Sequence, residues 1–476
     1  MLPDWLTYFF QFKSYAVLFV AAAAATALLT PLYVLLARRV GLVDRPGGRK
    51  QHPRATATMG GLVIFLVVFA GVAAAVRLDN LVGDILRAQS RFVYGIMVCT
   101  ACMIALGVVD DVRSVPAKVK LLVQGIVALA AVLLGFQIEA VTIPGYESIT
   151  LPAIVGALLS LVWIVGITNA VNLSDGIDGL AVGICLLASG VNALVAIWLG
   201  NHYMTVLMAL LAGALLGFLR WNFHPARVFL GDTGSLALGM FLALASLKSA
   251  QKAHTIVMIL VPLFALGYPI FDTLLAVARR VIRGQPLLTS DRDHIHHRLL
   301  DRGRSPTAAA IQIYAASVLV SLVCIAAATA NHFVLGIAVA GVGVLALFCV
   351  RVLGYLEWGG WQHRWTGRRE TKVLHAAAHL ARLKIEQSED ATDMVRALGI
   401  LAPEVDCVRI DLNLDARTHT WNGSDDPEAD AGGEQFDIAL GDERGVRFVF
   451  RSGRSPSQER RHVIEDVCIQ LAARIE

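Results

Sequence analysis

Residues 15–37 read YAVLFVAAAAATALLTPLYVLLA, 23 positions without a charged side chain. About 20 mainly apolar helical residues cross the hydrocarbon core of a bilayer, so this run is long enough to span one. It outlasts the core of a secretory signal and no small-residue cleavage site follows, so it is expected to stay as a helix. The same window applied outward finds further runs near 60–76, 93–109, 119–136, 152–168, 180–199, 204–220, 234–249, 255–279, 310–329 and 333–354. The fold class this predicts is an all-α polytopic membrane protein of about eleven transmembrane helices. Composition agrees: 56% of the 476 residues are hydrophobic and only 16% charged, against roughly 25% charged in soluble proteins.

Charge divides the chain. Of 78 Lys, Arg, Asp and Glu residues, 40 fall in 1–354 and 38 in 355–476, which predicts a transmembrane domain over 1–354 and a soluble domain over 355–476. With the N-terminus outside, the connections on the inner face carry 18 Lys and Arg and those on the outer face 6. Cytoplasmic loops hold the excess of basic residues, so the expected topology is N-out/C-in, with the tail in the cytoplasm. The tail reads as a small α/β domain: helix around Glu370–Gln387, more helix to Leu401, strands over Cys407–Leu414 and Arg447–Phe450, and a closing helix over Gln458–Ile475. Ser424–Glu434 reads as a loop. This order resembles a GAF-like sensory module; a docking, regulatory or homo-oligomerisation domain is the alternative. The net charge of +4 is small, and no basic stretch is interleaved with aromatics, so no nucleic acid partner is expected. Cys99 and Cys102 form a CxxC inside an apolar run, where helix packing is the better reading than redox or metal chemistry.

With this topology the unusual polar clusters all fall on the inner face: Asp110-Asp111, Asn169 to Gly179, Asn222 to Asp232, and Asp293 to Arg298. Two adjacent carboxylates at a helix end repel one another and call for a cation or a shared proton. Asp175 and Asp178 stand three apart, one face of a helix. Asp232 alone reads equally well as a helix N-cap. Together the five carboxylates suit Mg²⁺ or Mn²⁺, which binds one or two carboxylates plus substrate phosphates. Seven arginines lie between Arg279 and Arg304 beside His294, His296 and His297. Without cysteines in this loop, phosphate contact or imidazole proton transfer fits these histidines better than zinc. No Walker A loop and no HExxH occur. Asp272, toward the inner end of its span, is a functional candidate by its depth. A transporter would place polar residues at mid-membrane and show internal repeats, neither of which is seen.

Met59-Gly60-Gly61, Asp110-Asp111, NAVNLSDGIDGLA at 169–181, VFLGDTGS at 228–235 and HIHHR at 294–298 together resemble the polyprenyl-phosphate N-acetylhexosamine-1-phosphate transferases. The resemblance spans roughly residues 15–354 in the family's order. His296-His297-Arg298 after Asp293-His294, and Asp44-Arg45-Pro46 with Lys50 and His52, look like the WecA-like branch rather than the phospho-MurNAc-pentapeptide transferases of peptidoglycan synthesis. The tail departs from the family's usual length. The resemblance implies transfer of GlcNAc-1-phosphate, or a related 2-acetamido sugar-1-phosphate, from a UDP-sugar such as UDP-GlcNAc to undecaprenyl phosphate, with release of UMP. That is the first membrane step of O-antigen, lipopolysaccharide or similar polymer synthesis at the cytoplasmic face of the bacterial inner membrane. It further implies a metal, Mg²⁺ or in its place Mn²⁺, around Asp110, Asp111 and Asp232. Asp110, Asp111, Asp175, Asp178, His296 and His297 are then the expected catalytic group. Asn172, Asn222, Phe229, His294 and Arg298 are expected to bind substrate, with Phe229 stacking on the uracil.

Overall fold

The computed structural model describes residues 4–44, 55–142, 148–251, 265–283, 294–329, 361–414, 417–423, 435–441, 444–450 and 458–475, with 341, 343 and 456. The chain forms two compact units, one from Met1–Ala276 and Ser290–Tyr355, the other from Val277–Thr289 and Leu356–Glu476.

In the first unit the helices are α1 (Asp4–Val40), α2 (Gly61–Val76), α3 (Leu81–Ala88), α4 (Ser90–Arg113), α5 (Ala117–Leu133), α6 (Ala153–Leu173), α7 (Leu180–Trp198), α8 (His202–Asn222), α9 (Gly231–Gln251), α10 (Gly267–Arg283, whose last turns pass to the second unit), α11 (Ile295–Asp301) and α12 (Pro306–Thr329). Among the described residues six helices are long and apolar enough to cross a membrane: Lys13–Val40, α4, α6, α7, α8 and Pro306–Val323. The pair α2 and α3, bent by 103°, makes up to seven if it is one span. The expected runs at 60–76 and 119–136 are helices of 16 and 17 residues, and 234–249 falls within α9. Those at 255–279 and 333–354 lie partly or mostly outside the described residues. The protein is a multi-pass membrane protein, and its surface says so: Leu28, Leu133, Ile154 and Val162 are each at least 70% exposed, an apolar exterior that only lipid makes tolerable.

The centre of this unit is α8 and α9. Tyr203–Leu215 and Thr233–Ser249 are buried without interruption, so over these stretches both helices are enclosed on every side. Gly213 and Gly217, one turn apart on α8, let α1 approach until a Cβ at either would strike the carbonyl of Phe19 or Ala23. Two short ladders complete the unit: β1 (Val43–Asp44) with β2 (Thr56–Ala57), and β3 (Ala140–Thr142) with β4 (Ser148–Thr150), both antiparallel.

The second unit contains α13 (Trp361–Gln387), α14 (Ala391–Leu398), α15 (Ala402–Val405), strands β5 (Cys407–Leu414), β6 (Arg417–Asn422), β7 (Gln435–Gly441) and β8 (Arg444–Phe450), and α16 (Gln458–Ile475). The strands form one antiparallel sheet in the order β6-β5-β8-β7. Its inner face supplies Ile410, Leu412, Val446 and Phe448 to a core shared with Leu374, Ala381 and Ile385 of α13 and Ile464, Val467 and Leu471 of α16. The outer face is polar: Asp411 lies opposite Thr420 and Arg447, and Arg447 opposite Asp437. The α/β reading of the tail therefore holds, with β6 and β7 in addition. The stretch expected as a loop, Ser424–Glu434, lies outside the described residues.

Candidate active site

Helix ends, not helix middles, carry the polar residues. The C-termini of α4 and α6 and the N-termini of α5 and α9 meet at one end of the bundle, and glycines make the meeting possible. A Cβ on Gly107 of α4 would collide with Thr233 Cα and Asp232 O, and one on Gly61 of α2 with the Gly234 backbone. The Met59-Gly60-Gly61 segment is stitched to the turn before α9: Phe229 N donates to Ala57 O, Gly60 N to Phe229 O and Gly61 N to Leu230 O. The 59–61 and 228–235 segments thus supply backbone contacts that hold the site together.

Adjacent residues on a helix point about 100° apart, and Asp110 and Asp111 diverge accordingly. Asp110 is buried; its Oδ1 accepts from Val115 N at 2.6 Å and its Oδ2 pairs with the ammonium of Lys120. Lys120 also reaches Asp232 Oδ2 at 3.0 Å. Asp232 Oδ1 accepts from Asn172 Nδ2 at 2.8 Å, and Asn172 also donates to Ser235 Oγ at 2.8 Å. Asp111 turns instead to the start of α9. Its oxygens accept from Asp232 N at 2.9 Å, Thr233 N at 3.0 Å and Thr233 Oγ1 at 2.7 Å. These are helix N-terminal donors that otherwise lack partners, so Asp111 acts as the cap of α9 from a neighbouring helix.

Around this centre lies the 174–179 turn. Asp175 is bonded to the Gly231 backbone; burial, reinforced by the charges of Asp232, Asp111 and Asp178, pushes its carboxyl up to about 8. Asp178 Oδ2 accepts from Ala226 N at 3.0 Å and lies 2.8 Å from His224 Nδ1, which ties the turn to the 223–230 loop. At the end of α8, Asn222 Nδ2 donates to Val228 O of that loop at 2.9 Å, while the buried Asn222 Oδ1 has no partner among the described residues. Phe229 is half-buried.

The histidine segment joins the same group. His294 and His296 are both buried and stack with centroids 5.7 Å apart and planes 5° from parallel. The ring of His297 lies 4.3 Å from that of His296, and Arg298 follows on α11. His296 Nε2 is buried without a partner and packs against Gly176, where a Cβ would overlap it. Burial, with His297 and His294 nearby, pushes the His296 imidazole down to about 3, so it is neutral. Asp272 receives His294 Nδ1 at 2.8 Å and Ile295 N at 2.9 Å, which gives that buried carboxylate its occupation.

Known proteins resemble the chain over this region. The profile of Glycosyl transferase family 4 matches residues 93–250. The "Probable undecaprenyl-phosphate N-acetylglucosaminyl 1-phosphate transferase" of Bacillus subtilis (strain 168) is 37% identical over 298 residues, 63% of this chain and 80% of the relative. The chain belongs to the polyprenyl-phosphate N-acetylhexosamine-1-phosphate transferases, in the WecA-like branch. A decaprenyl-phosphate N-acetylglucosaminephosphotransferase of Mycolicibacterium smegmatis is 34% identical over 328 residues, 63% of this chain and 79% of that one. A phospho-N-acetylmuramoyl-pentapeptide-transferase of Oceanobacillus iheyensis is 34% identical over 314 residues, 59% and 88% of the two chains.

For a transferase of this family the sequence reading overlooked one residue at the centre of the site. Lys120 belongs to no motif, and with Lys118 in the same first turn it reads as an ordinary helix-end charge. Only the fold shows it between Asp110 and Asp232. Tyr268, 3.1 Å from His296 Nδ1 through its hydroxyl, was equally silent.

Proposed function

We propose that this transferase moves GlcNAc-1-phosphate, or a closely related 2-acetamido sugar-1-phosphate, from its UDP-sugar to undecaprenyl phosphate and releases UMP. The observation that carries the reading is the triad of Asp110, Lys120 and Asp232 with Asn172, in a chain 37% identical to the Bacillus relative. A phosphate oxygen of the lipid attacks the β-phosphorus of the UDP-sugar, and the bond to the UMP oxygen breaks. Two anions must meet, so neutralising and aligning them is the main catalytic need. A phosphate monoester has its second pKa at about 6 and is already largely dianionic at neutral pH. Positioning therefore outweighs proton removal.

Within this reading the Lys120 ammonium supplies one positive charge and fills the cation position on which Asp110 and Asp232 converge. Two carboxylates plus substrate phosphates are also the ligands a divalent ion takes. Among the described residues no three His, Cys, Asp or Glu converge in a metal-holding group, and both oxygens of Asp111 serve the α9 cap. Mg²⁺, with Mn²⁺ as substitute, would be held by Asp110 and Asp232 together with the diphosphate in exchange for the Lys120 ammonium, whose charge would then serve the substrate phosphates, and Asp111 positions Asp232. When bound, the ion supplies charge neutralisation for the diphosphate. Asn222 Oδ1 is an acceptor suited to an N–H of uracil, with Phe229 as stacking platform; Asp175 and Asp178 shape the turn that faces the sugar nucleotide. In this reading His296, His297, His294 and Arg298 contact the sugar diphosphate.

The eleven-span N-out/C-in topology, the cytoplasmic orientation in a bacterial inner membrane, the division at residue 354, and a GAF-like or partner-binding tail belong to the same proposal. So does the product's use in an O-antigen or similar polymer. The test is a panel of radiolabelled UDP-sugars with undecaprenyl phosphate in detergent, with and without EDTA. Label should pass to lipid from UDP-GlcNAc, stop in EDTA and return with Mg²⁺. Transfer from UDP-MurNAc-pentapeptide alone would assign the chain to the other branch, and full activity in EDTA would remove the metal.

A further inference from the structure

Two side chains of α10, Tyr268 and Asp272, stand one helical turn apart on one face and between them hold both buried histidines of the HIHHR segment. Asp272 is 1% exposed and His294 4%, and no family motif quoted above includes either α10 residue. We propose that Tyr268 and Asp272 are positioning residues for the transfer reaction: they decide which ring nitrogen of His294 and of His296 carries the hydrogen, and hence what each ring offers the substrate. This inference rests on the transferase reading for its kinetic consequence, though not for its hydrogen-bond chemistry.

A carboxylate only accepts. Asp272 Oδ1 takes the Ile295 N–H, and Oδ2 faces His294 Nδ1 at 2.8 Å, so Nδ1 carries the hydrogen and Nε2 keeps its lone pair. The state of one imidazole nitrogen is set by the bond the other makes. The Tyr268 hydroxyl lies 3.1 Å from His296 Nδ1; a phenol both donates and accepts, and as the donor here it would place the His296 hydrogen on Nε2. That nitrogen is buried, has no protein partner and lies against Gly176, the glycine between the two carboxylates of the 175–178 turn. The stacked rings then present one acceptor, His294 Nε2, and one donor, His296 Nε2–H. The pair suits a ligand with a hydroxyl or amide hydrogen next to an anionic oxygen, as in a sugar diphosphate. Burial keeps His296 neutral.

Asp272→Asn separates positioning from support. An asparagine keeps the volume and an acceptor for Ile295 N–H, but its amide donates to His294 Nδ1 and drives the ring hydrogen to Nε2. The full-length chain in detergent, labelled with ¹⁵N-histidine, should show the His294 hydrogen on Nδ1 in the parent and on Nε2 in Asp272→Asn. With UDP-GlcNAc and undecaprenyl phosphate, kcat should fall on the order of 10²- to 10⁴-fold, the scale of a wrong tautomer in an Asp–His pair, with the melting midpoint and the UDP-GlcNAc KM little changed. Tyr268→Phe, which removes one oxygen, should lower kcat by about tenfold, the worth of one hydrogen bond. Unchanged kcat in Asp272→Asn, or an unmoved nitrogen signal, would overturn the proposal. If Asp272→Asn fails to fold, wild-type turnover in Tyr268→Phe overturns it instead. A parent chain that releases no UMP would sink the transferase reading, while the nitrogen assignments still decide the hydrogen-bond part.

Discussion

Replacing Asp111 by alanine tests whether the second carboxylate of the Asp110-Asp111 pair is chemistry or architecture. Asp111 accepts three hydrogen bonds from the first turn of α9. Loss of an ordinary N-cap costs about 0.5–2 kcal/mol, and bonds to a charged acceptor are worth about 1.5–3 kcal/mol each but are not additive. Asp111 is half-buried, so water recovers part of the loss, and Asp111→Ala should destabilise by about 2–4 kcal/mol. Asp111→Asn keeps one acceptor oxygen and should lose about half as much. Because the cap also fixes the backbone of Asp232, turnover per folded molecule should fall on the order of 10- to 100-fold, the effect of a displacement near 1 Å, without vanishing. Asp110→Asn keeps an acceptor for Val115 N but loses the charge that faces Lys120, and should abolish transfer. The measurements are melting of purified protein in detergent and single-turnover release of UMP from UDP-GlcNAc. An Asp111→Ala protein that melts with the wild type yet has no activity would refute the capping argument and make Asp111 a direct participant.

Asp175 binds a proton in the folded state up to about pH 8 and its ordinary value is 3.8, so it favours folding at low pH and that contribution is lost as pH rises through about 8. Asp175→Asn should therefore melt above the parent at pH 8 and level with it below the ordinary carboxylate range, while losing transfer; a lower midpoint at pH 8 would contradict the assigned burial. Gly107→Ala, whose Cβ meets backbone atoms of α9, should destabilise by about 1–3 kcal/mol and reduce kcat, and a variant with wild-type melting and turnover would mean the helix contact is loose. A chain that ends at Gly360, before α13, should retain UMP release in detergent, because every residue placed at the site precedes it and a bundle in lipid satisfies its own backbone bonds; binding of UDP-sugar without turnover would show that the tail completes the site.

The bundle was legible because its signal is cumulative: twenty apolar residues in a row leave few alternatives. Inside the 255–279 run, Tyr268 and Asp272 interrupt the apolar pattern where they meet the histidines. In the tail the two buried strands and the closing helix were readable from their apolar alternation. Edge strands β6 and β7 were not, since Arg417–Asn422 exposes most of its side chains and carries no core pattern.

The site divides along a different line. Residue types could be read, since five carboxylates, an NxxDGxDG turn and three histidines on one predicted face specify anion and cation chemistry. Roles could not, because role depends on direction. Asp110 and Asp111 are identical in sequence terms, yet the turn of one residue sends the first to Lys120 and the second to the amides of α9. Asp232 is the converse case: it lies in the first turn of α9 but is not its N-cap, since its own backbone N–H is capped by Asp111 while its carboxylate meets Lys120 and Asn172. Backbone and side chain of one residue thus link the cap to the cation position, and any change that shifts the start of α9 must move the charge as well. That coupling is why glycines crowd the contact at Gly61, Gly107 and Gly234: a methyl group there would push on the carboxylate through the helix that carries it.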